Sequence, residues 1–196
     1  MDKTISFIIP TLGRESLQAT LESIKDLPGD EVLVIRHDPL RHKGIYGNAE
    51  RQEGTEKATG DYLAYMDDDD VYVPGAREIM AAAIAENTGE NPILFKMQYP
   101  SGRVLWRKRW VKCGNVSTQM ILAPNKKNML SKWDIRHRWS DFTFINHWLW
   151  PARDIMWRHE IIAFIGHNDQ KFEQDLTFSE FNKVRSSGAT DLMETA

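Results

Sequence analysis

Apolar and polar positions alternate in short blocks through the first hundred residues. Residues 4–9 form an apolar run rich in β-branched side chains and ended by Pro10, which predicts a buried first strand. Between Gly13 and Leu27, Leu17, Leu21 and Ile24 recur at spacings of four and three, and Pro28-Gly29 follows. That period predicts an amphipathic helix over 13–27 with a stop after it. Residues 31–36 predict a second strand and residues 61–66, behind Gly60, a third, with weak helical periodicity over 47–59 between them. Pro74 at a first helical position, the Ala-rich stretch 76–85 and the ending Asn87-Thr88-Gly89 predict another helix. Residues 93–98 and 104–106 flank Pro100-Ser101-Gly102 and read as a hairpin.

Strand–helix alternation of this kind predicts an α/β fold with a mainly parallel central sheet and helices on both faces. Ligands of such sheets bind outside the carboxyl ends of the strands, so the residues just after each strand carry the functional question. Beyond Cys113 the pattern is less regular. Residues 120–122 predict a short strand, residues 140–150 a helix that Ser140 or Asp141 caps, and residues 161–165 a last strand. The polar stretch 186–196 reads as a frayed tail.

Composition narrows the class. The chain has 196 residues, 41% apolar and 27% charged, which favours one globular domain and excludes disordered, collagen-like and fibrous classes. No apolar run reaches the roughly 18–20 residues of a membrane span, and the start Met1-Asp2-Lys3-Thr4 predicts no signal peptide. A single cysteine, Cys113, excludes an internal disulfide and a cysteine-built zinc site, so a reducing, cytoplasmic setting is expected. The net charge of −3 hides an asymmetry: residues 1–100 hold 10 Lys/Arg and 18 Asp/Glu, whereas residues 101–196 hold 15 and 10. All seven tryptophans lie between Trp106 and Trp157. An acidic half followed by a basic, aromatic half predicts two surfaces with different partners.

The strongest chemical signal is Asp67-Asp68-Asp69-Asp70, directly after the third strand. Four adjacent carboxylates repel one another, and in a crevice that repulsion either raises their pKa values or recruits a cation. Along an extended chain, Asp67 and Asp69 would point to one side and Asp68 and Asp70 to the other. An all-oxygen donor set suits Mg²⁺ or Mn²⁺. The competing reading is a solvated acidic turn.

The resemblance to a known family rests on several stretches together: Ile8-Ile9-Pro10-Thr11, the second strand ending at Asp38, Arg51-Gln52-Glu53-Gly54, Ala58-Thr59-Gly60-Asp61-Tyr62, Met66 with Asp67–Asp70, and Pro74-Gly75. Over residues 4–85 this resembles the nucleotide-sugar half of family 2 glycosyltransferases with the GT-A fold. The resemblance implies a metal-dependent, inverting transfer of a sugar from a nucleoside-diphosphate sugar, a UDP-sugar by preference, to the hydroxyl of a glycan or lipid-linked acceptor. It implies a single domain with the nucleotide-sugar half at about 1–98, the acceptor half at about 99–185 and the tail beyond. Pro10, Thr11, Arg14, Asp38, Arg51, Asp67 and Asp68 are implied at the nucleotide sugar, and Asp69 on Mn²⁺ or Mg²⁺. Gln52 stands where the family often has Asn, and Arg36-His37-Asp38-Pro39 replaces its usual acidic pair followed by Gly and Ser.

In the second half, Trp139-Ser140-Asp141-Phe142 resembles the acidic segment that opens a helix beneath the family's acceptor site. Direct displacement needs a base for the incoming hydroxyl, which makes Asp141 the candidate and Asp134 the reserve. A late histidine completes the metal shell in many GT-A enzymes, and His167, after an apolar run and Gly166, is placed for it. Structural roles compete at each position: Pro10 as strand terminator, Asp38 as turn residue, Arg51 as partner of Glu50 or Glu53, Asp141 as a helix-start acid. Gly114–Gln119 reads either as an acceptor-pocket lining or as a plain loop.

Two other functions compete with the enzyme. From Arg103 to Arg138 there are ten Lys/Arg and one acidic residue, interleaved with tryptophan, the make-up of a single-strand nucleic-acid groove. That reading leaves the acidic cluster without a role, so no nucleic-acid partner is expected. The last alternative is a nucleotide-sugar binder without catalysis. A nucleotidyltransferase is disfavoured because Pro10-Thr11-Leu12-Gly13-Arg14 lacks the glycine-rich, lysine-bearing loop.

Overall fold

In the computed structural model, residues 3–44, 46–136, 139–148 and 154–166 are described. The chain runs β1 (Ile5–Thr11), α1 (Leu17–Ser23), β2 (Glu31–Arg36), α2 (Asn48–Lys57), β3 (Tyr62–Tyr65), β4 (Val71–Tyr72), α3 (Ala76–Glu86), β5 (Ile93–Gln98), β6 (Val104–Leu105), β7 (Ile121–Pro124), α4 (Ser140–Trp148) and β8 (Met156–Phe164). One turn of 3-10 helix, Thr118–Met120, leads into β7. The strands form one sheet in the order β2-β1-β3-β7-β5-β8-β4, with β6 on β5. The longest ladders, β1–β2, β1–β3 and β5–β8, are parallel, and β7 runs antiparallel between β3 and β5. No helix among the described residues is long and apolar enough to cross a membrane.

Every residue of β1 is buried, because the strand has neighbours on both sides and helices over both faces. That is why it reads as a continuous apolar run rather than an alternation. Ile5, Phe7 and Ile9 enter one core with Leu17 and Leu21 of α1 and Met80 and Ile84 of α3. Ile8, on the opposite face, joins Tyr65, Trp133 and the α4 residues Phe144 and Ile145. Trp133 stacks on Phe144 with centroids 4.3 Å apart, and Tyr65 meets both rings edge-on.

Local chemistry moves several predicted boundaries. α1 is shorter than the predicted 13–27: Gly13 has φ +85° and the chain reaches Leu17 through a turn in which Arg14 C=O accepts the Leu17 N–H. At the other end, Ile24 is extended and Asp30 caps the Leu27 N–H. α3 begins two residues after Pro74, because Gly75 before it has φ +78°, outside the helical region. β4 is too short to show periodicity and exists by pairing with β8. β8 starts earlier than the predicted 161–165, since Arg158-His159-Glu160 interrupts its apolar pattern. The acidic run is a turn: Asp70 N–H donates to Asp67 C=O at 3.2 Å, so the strand-like alternation of its side chains does not hold. His167, residues 149–150 of the predicted helix and the 186–196 tail lie outside the described residues.

Two interactions hold the first half of the chain together. Gly54 lets α2 press against β1: a Cβ there would lie 2.4 Å from Ile8 Cγ2, a methyl fixed in the core. Below the sheet, Arg77 Nε donates to Asp30 Oδ2 at 2.6 Å and Arg77 Nη2 to Asp30 Oδ1 at 3.0 Å, with both side chains buried. Burial alone would raise the Asp30 pKa, but Arg77 and the Leu27 and Ile5 N–H donors hold it below its ordinary 3.8.

Gly54→Ala gains about 1 kcal/mol of helix propensity but overpacks Ile8 at about 1–3 kcal/mol, so a net loss is expected. Thermal unfolding checks the sign, at about 2–4 °C of melting temperature per kcal/mol for a chain of this size. Asp30→Asn leaves Arg77 charged and unpaired, an expected loss of about 3–5 kcal/mol in denaturant titration. In the wild type, a depressed carboxylate stabilises fully above its unfolded value and progressively less as pH falls through the folded one. Wild-type stability should therefore drop below pH 3.8 more steeply than that of Asp30→Asn.

Candidate active site

The carboxyl ends of β1, β2 and β3 open on one cleft of about 470 Å³, walled by Pro10–Leu12, Arg14, His37, the Tyr46–Gly47 turn, Glu50 and Arg51 of α2, and Asp67–Asp69. Gly47, with φ +71°, starts α2 close to β1: a Cβ there would lie 3.0 Å from Pro10 Cβ. This approach aims Arg51 at the acidic turn. Arg51 Nη1 donates to Tyr46 C=O at 2.6 Å and Asn48 Oδ1 at 3.2 Å, and Nη2 donates to Asp67 Oδ1. Its guanidinium lies 5.3 Å from the Trp133 ring. Arg51 is buried, so its charge is tolerated because it is paired.

Each carboxylate of the turn finds a different partner. Asp68 accepts from Thr11 Oγ1 at 2.6 Å and Leu12 N–H at 3.3 Å. Arg14 Nη1 bridges Asp68 Oδ1 at 3.2 Å and Asp69 Oδ2 at 2.7 Å. Asp70 is buried and accepts from Gly166 N–H at 2.7 Å. Gln119 Nε2 clamps Asp70 Oδ2 at 2.5 Å and Asp67 Oδ2 at 3.0 Å. Burial and the charge of Asp67 push Asp70 up to about 8, against the pull of Gly166 and Gln119. Burial also raises Asp69, with Asp67 adding to the shift and Arg14 opposing it. Oxygen atoms of Asp67, Asp69 and Asp70 lie within 4.8 Å of one another. Three converging hard oxygen donors, one of them a buried acid that resists ionisation, fit a divalent cation of the Mg²⁺ or Mn²⁺ type.

A second network backs the cleft on the β2 side. His42 Nδ1 accepts the Asp38 N–H at 2.9 Å, which leaves the ring proton on Nε2, 2.8 Å from Glu53. Lys57 and His42 hold Glu53 down at about 2. His37 Nδ1 lies 2.5 Å from Glu50 Oε1 and the ring lines the cleft. His37, His42 and Glu50 also bring ligand atoms within 4.8 Å of one another. Both nitrogens of His42 are engaged by the Asp38 N–H and Glu53, so this group acts as a polar wall rather than a metal cage.

Thus Pro10, Thr11, Arg14, Arg51, Asp67, Asp68 and Asp69 gather at the cleft, with Asp68 turned toward Thr11 and Arg14. Asp38 does not line it: its carboxylate accepts the Leu40 N–H at 2.9 Å within its own turn, and His37 takes the wall position. Asp141, in the first turn of α4, accepts the Phe142 N–H at 2.7 Å. Burial raises its pKa, and Ser117, Arg51 and Asp67 all act on it, which puts it beside the acidic turn but outside the cleft. Asp134 instead ties its own turn by accepting the Arg136 N–H at 3.0 Å. Sequence reasoning did not single out His37, left the share of Asp70 within the acidic run open, and read Gln119 only within a stretch that was either acceptor-pocket lining or plain loop. The strand-end position of His37 was the available signal, whereas the Gln119 clamp exists only through the fold.

The chain matches the glycosyl transferase family 2 model over residues 41–147. An uncharacterized glycosyltransferase of Haemophilus influenzae is 23% identical over 214 residues, covering 97% of this chain and 73% of the relative. Among solved structures, S. aureus TarS aligns with a TM-score of 0.67 at 16% identity, over 82% of this chain and 36% of TarS. The TarS 1–349 structure in complex with UDP-GlcNAc aligns with a TM-score of 0.68 at 17% identity, over 92% of this chain and 64% of that one. The chain thus spans less than two thirds of these structural relatives. At such identities the likeness is one of fold, and the fold is GT-A. With the family match covering more than half of its length, the chain belongs to glycosyl transferase family 2.

Proposed function

We propose that the protein moves a sugar from a UDP-sugar, with Mn²⁺ or Mg²⁺, to an acceptor hydroxyl with inversion at the anomeric carbon. The observation that carries this reading is the convergence of Arg14, Arg51 and the carboxylates of Asp67, Asp69 and Asp70 at one cleft, with the half-buried Asp141 beside it. Family membership supports the reaction class, and a structural relative forms a complex with UDP-GlcNAc.

Asp67, Asp69 and Asp70 would hold the divalent ion, whose charge, when it is bound, offsets that of the diphosphate leaving group. Arg14 and Arg51 already face these carboxylates and are placed to share the diphosphate's charge, with bidentate geometry that suits phosphate oxygens. Pro10, the Tyr46–Gly47 turn and the His37–Glu50 pair bound the far end of the cleft, where the nucleoside fits. Asp141 takes the proton from the acceptor hydroxyl as its oxygen attacks the anomeric carbon from the side opposite the diphosphate. Its raised pKa improves it as a proton acceptor near neutral pH. Attack and departure on opposite faces give inversion.

Asp69→Asn should abolish the Mn²⁺-dependent part of UDP binding in calorimetry while leaving the melting temperature unchanged or slightly higher, because like-charge repulsion is relieved. Equal UDP affinity with and without Mn²⁺ in both proteins would remove the metal from the reading. Asp141→Asn should slow UDP release from UDP-GlcNAc by about 10²–10⁴-fold and leave UDP binding intact. A purely structural Asp141 predicts near-normal turnover instead, since Asn serves a helix start about as well.

A further inference from the structure

The loop between β6 and the 3-10 turn is absorbed by neither the fold nor the donor site. It carries exposed Arg107, Lys108, Arg109 and Lys112, and exposed Arg103 precedes it. Asn115 pins it from inside: its Oδ1 accepts the Arg107 N–H at 2.9 Å, and its Nδ2 donates to Lys108 C=O at 2.8 Å and Trp110 C=O at 2.6 Å. The cations are therefore presented on a braced backbone rather than a loose one.

None of these cations, nor the half-buried Lys96 beside them, forms an ion pair among the described residues. Four of them lie on aromatic or imidazole groups instead. Lys96 sits 4.9 Å from the Trp106 ring, Lys112 4.9 Å from Trp110 and Arg103 5.5 Å from Tyr99. Arg109 Nη2 meets His159 Nε2 at 3.2 Å. Burial lowers the His159 pKa, and Lys96 and Arg109 lower it further against the opposing charge of Glu160. Elsewhere on the surface cations do have acids, as in Arg41–Glu53, Lys126–Glu90 and Arg158–Glu160.

The strip is continuous with the acceptor side of the site. Arg103 lies over Tyr99, whose hydroxyl feels both Asp70 and Asp141. The loop returns through Gly114, whose carbonyl accepts from Arg103 at 3.3 Å, to Ser117 beside Asp141. We infer that the strip from Arg103 to Lys112 binds an acceptor saccharide bearing phosphate or carboxylate groups along its length, with its reacting hydroxyl delivered at Asp141. This rests on the glycosyltransferase reading above and adds the charge class of the acceptor. Exposed Trp110 offers a flat apolar face to a sugar ring within the same strip.

The test compares oligogalacturonate with maltohexaose of equal length, titrated into the protein carrying UDP and Mn²⁺. The anionic saccharide should bind at least about tenfold more tightly at about 0.1 M salt and lose that margin at about 1 M, where screening falls from about 10 Å to about 3 Å. The variant Arg107→Gln/Lys108→Gln/Arg109→Gln should lose most of the margin while its melting temperature and UDP affinity hold. Equal binding of the two saccharides, or an unaltered margin in that variant, overturns the inference. Tighter binding of single-stranded oligothymidylate or of phosphatidylglycerol vesicles than of oligogalacturonate overturns it too, by assigning the strip to nucleic acid or to membrane. Failure to bind UDP, with the saccharide margin intact and lost in the variant, would sink the donor reading and still support the anionic strip.

Discussion

Four consecutive carboxylates at the end of a buried strand are the constraint around which the rest of the site is organised. Left extended, they would repel one another in a crevice with little water to screen them. The chain turns there, and the fold supplies each acid with its own compensation: Arg51 and Gln119 for Asp67, Thr11 and Arg14 for Asp68, Arg14 for Asp69, and Gly166 N–H with Gln119 for Asp70. Those partners come from β1 and the loop after it, α2, the turn before β7 and the residues just after β8. Elements far apart in the chain are therefore tied together at the point where charge is concentrated. The compensation is incomplete, since Asp70 stays pushed up to about 8 by burial and Asp67. A divalent cation with a diphosphate would meet the remaining demand.

Close approach of backbone to backbone makes this arrangement possible. Gly54 lets α2 lie against Ile8, and Gly47 lets its start pass Pro10, so Arg51 reaches the acidic turn from the helix's second turn. Trp133 then covers the guanidinium from the other side and stacks on Phe144 of α4. The packing that buries Arg51 is continuous with the packing that seats α4, and hence Asp141. Arg51 and Asp141 are thus seated on one apolar core, which fixes their separation without a covalent link.

The charge asymmetry of the chain acquires a meaning on this scaffold. Acidic residues of the first half converge at the cleft, and the exposed cations from Arg103 to Lys112, which form no ion pair among the described residues, lead toward Asp141. A uniform polar shell would mix the two signs, as the surface does at Arg41–Glu53 and Lys126–Glu90. Separation keeps the strip from neutralising the donor site.

Much of this was legible in the residues themselves. The apolar run of β1, the period of α1, the Ala-rich α3 and the position of Asp67–Asp70 after a strand follow from local rules of burial and periodicity, and they sufficed for the α/β class and the acidic site. Arg51, Asp67 and Asp69 came from the family resemblance of the stretches that hold them, and the structure gathers all three at one cleft. Three things were not legible. The two-residue β4 has no periodicity of its own and forms by pairing with a strand about ninety residues away, as long-range register requires. The wall position of His37 in place of Asp38 depends on which side chain the end of β2 turns inward, a choice made by Glu50 and His42. The Gln119 clamp joins residues whose proximity arises when β7 inserts antiparallel between β3 and β5. Sequence alone determined which groups carry charge and which stretches must be buried, since both follow from residue type and spacing. Tertiary structure decided which charges meet, because meeting is a matter of strand order and backbone approach that no local pattern encodes.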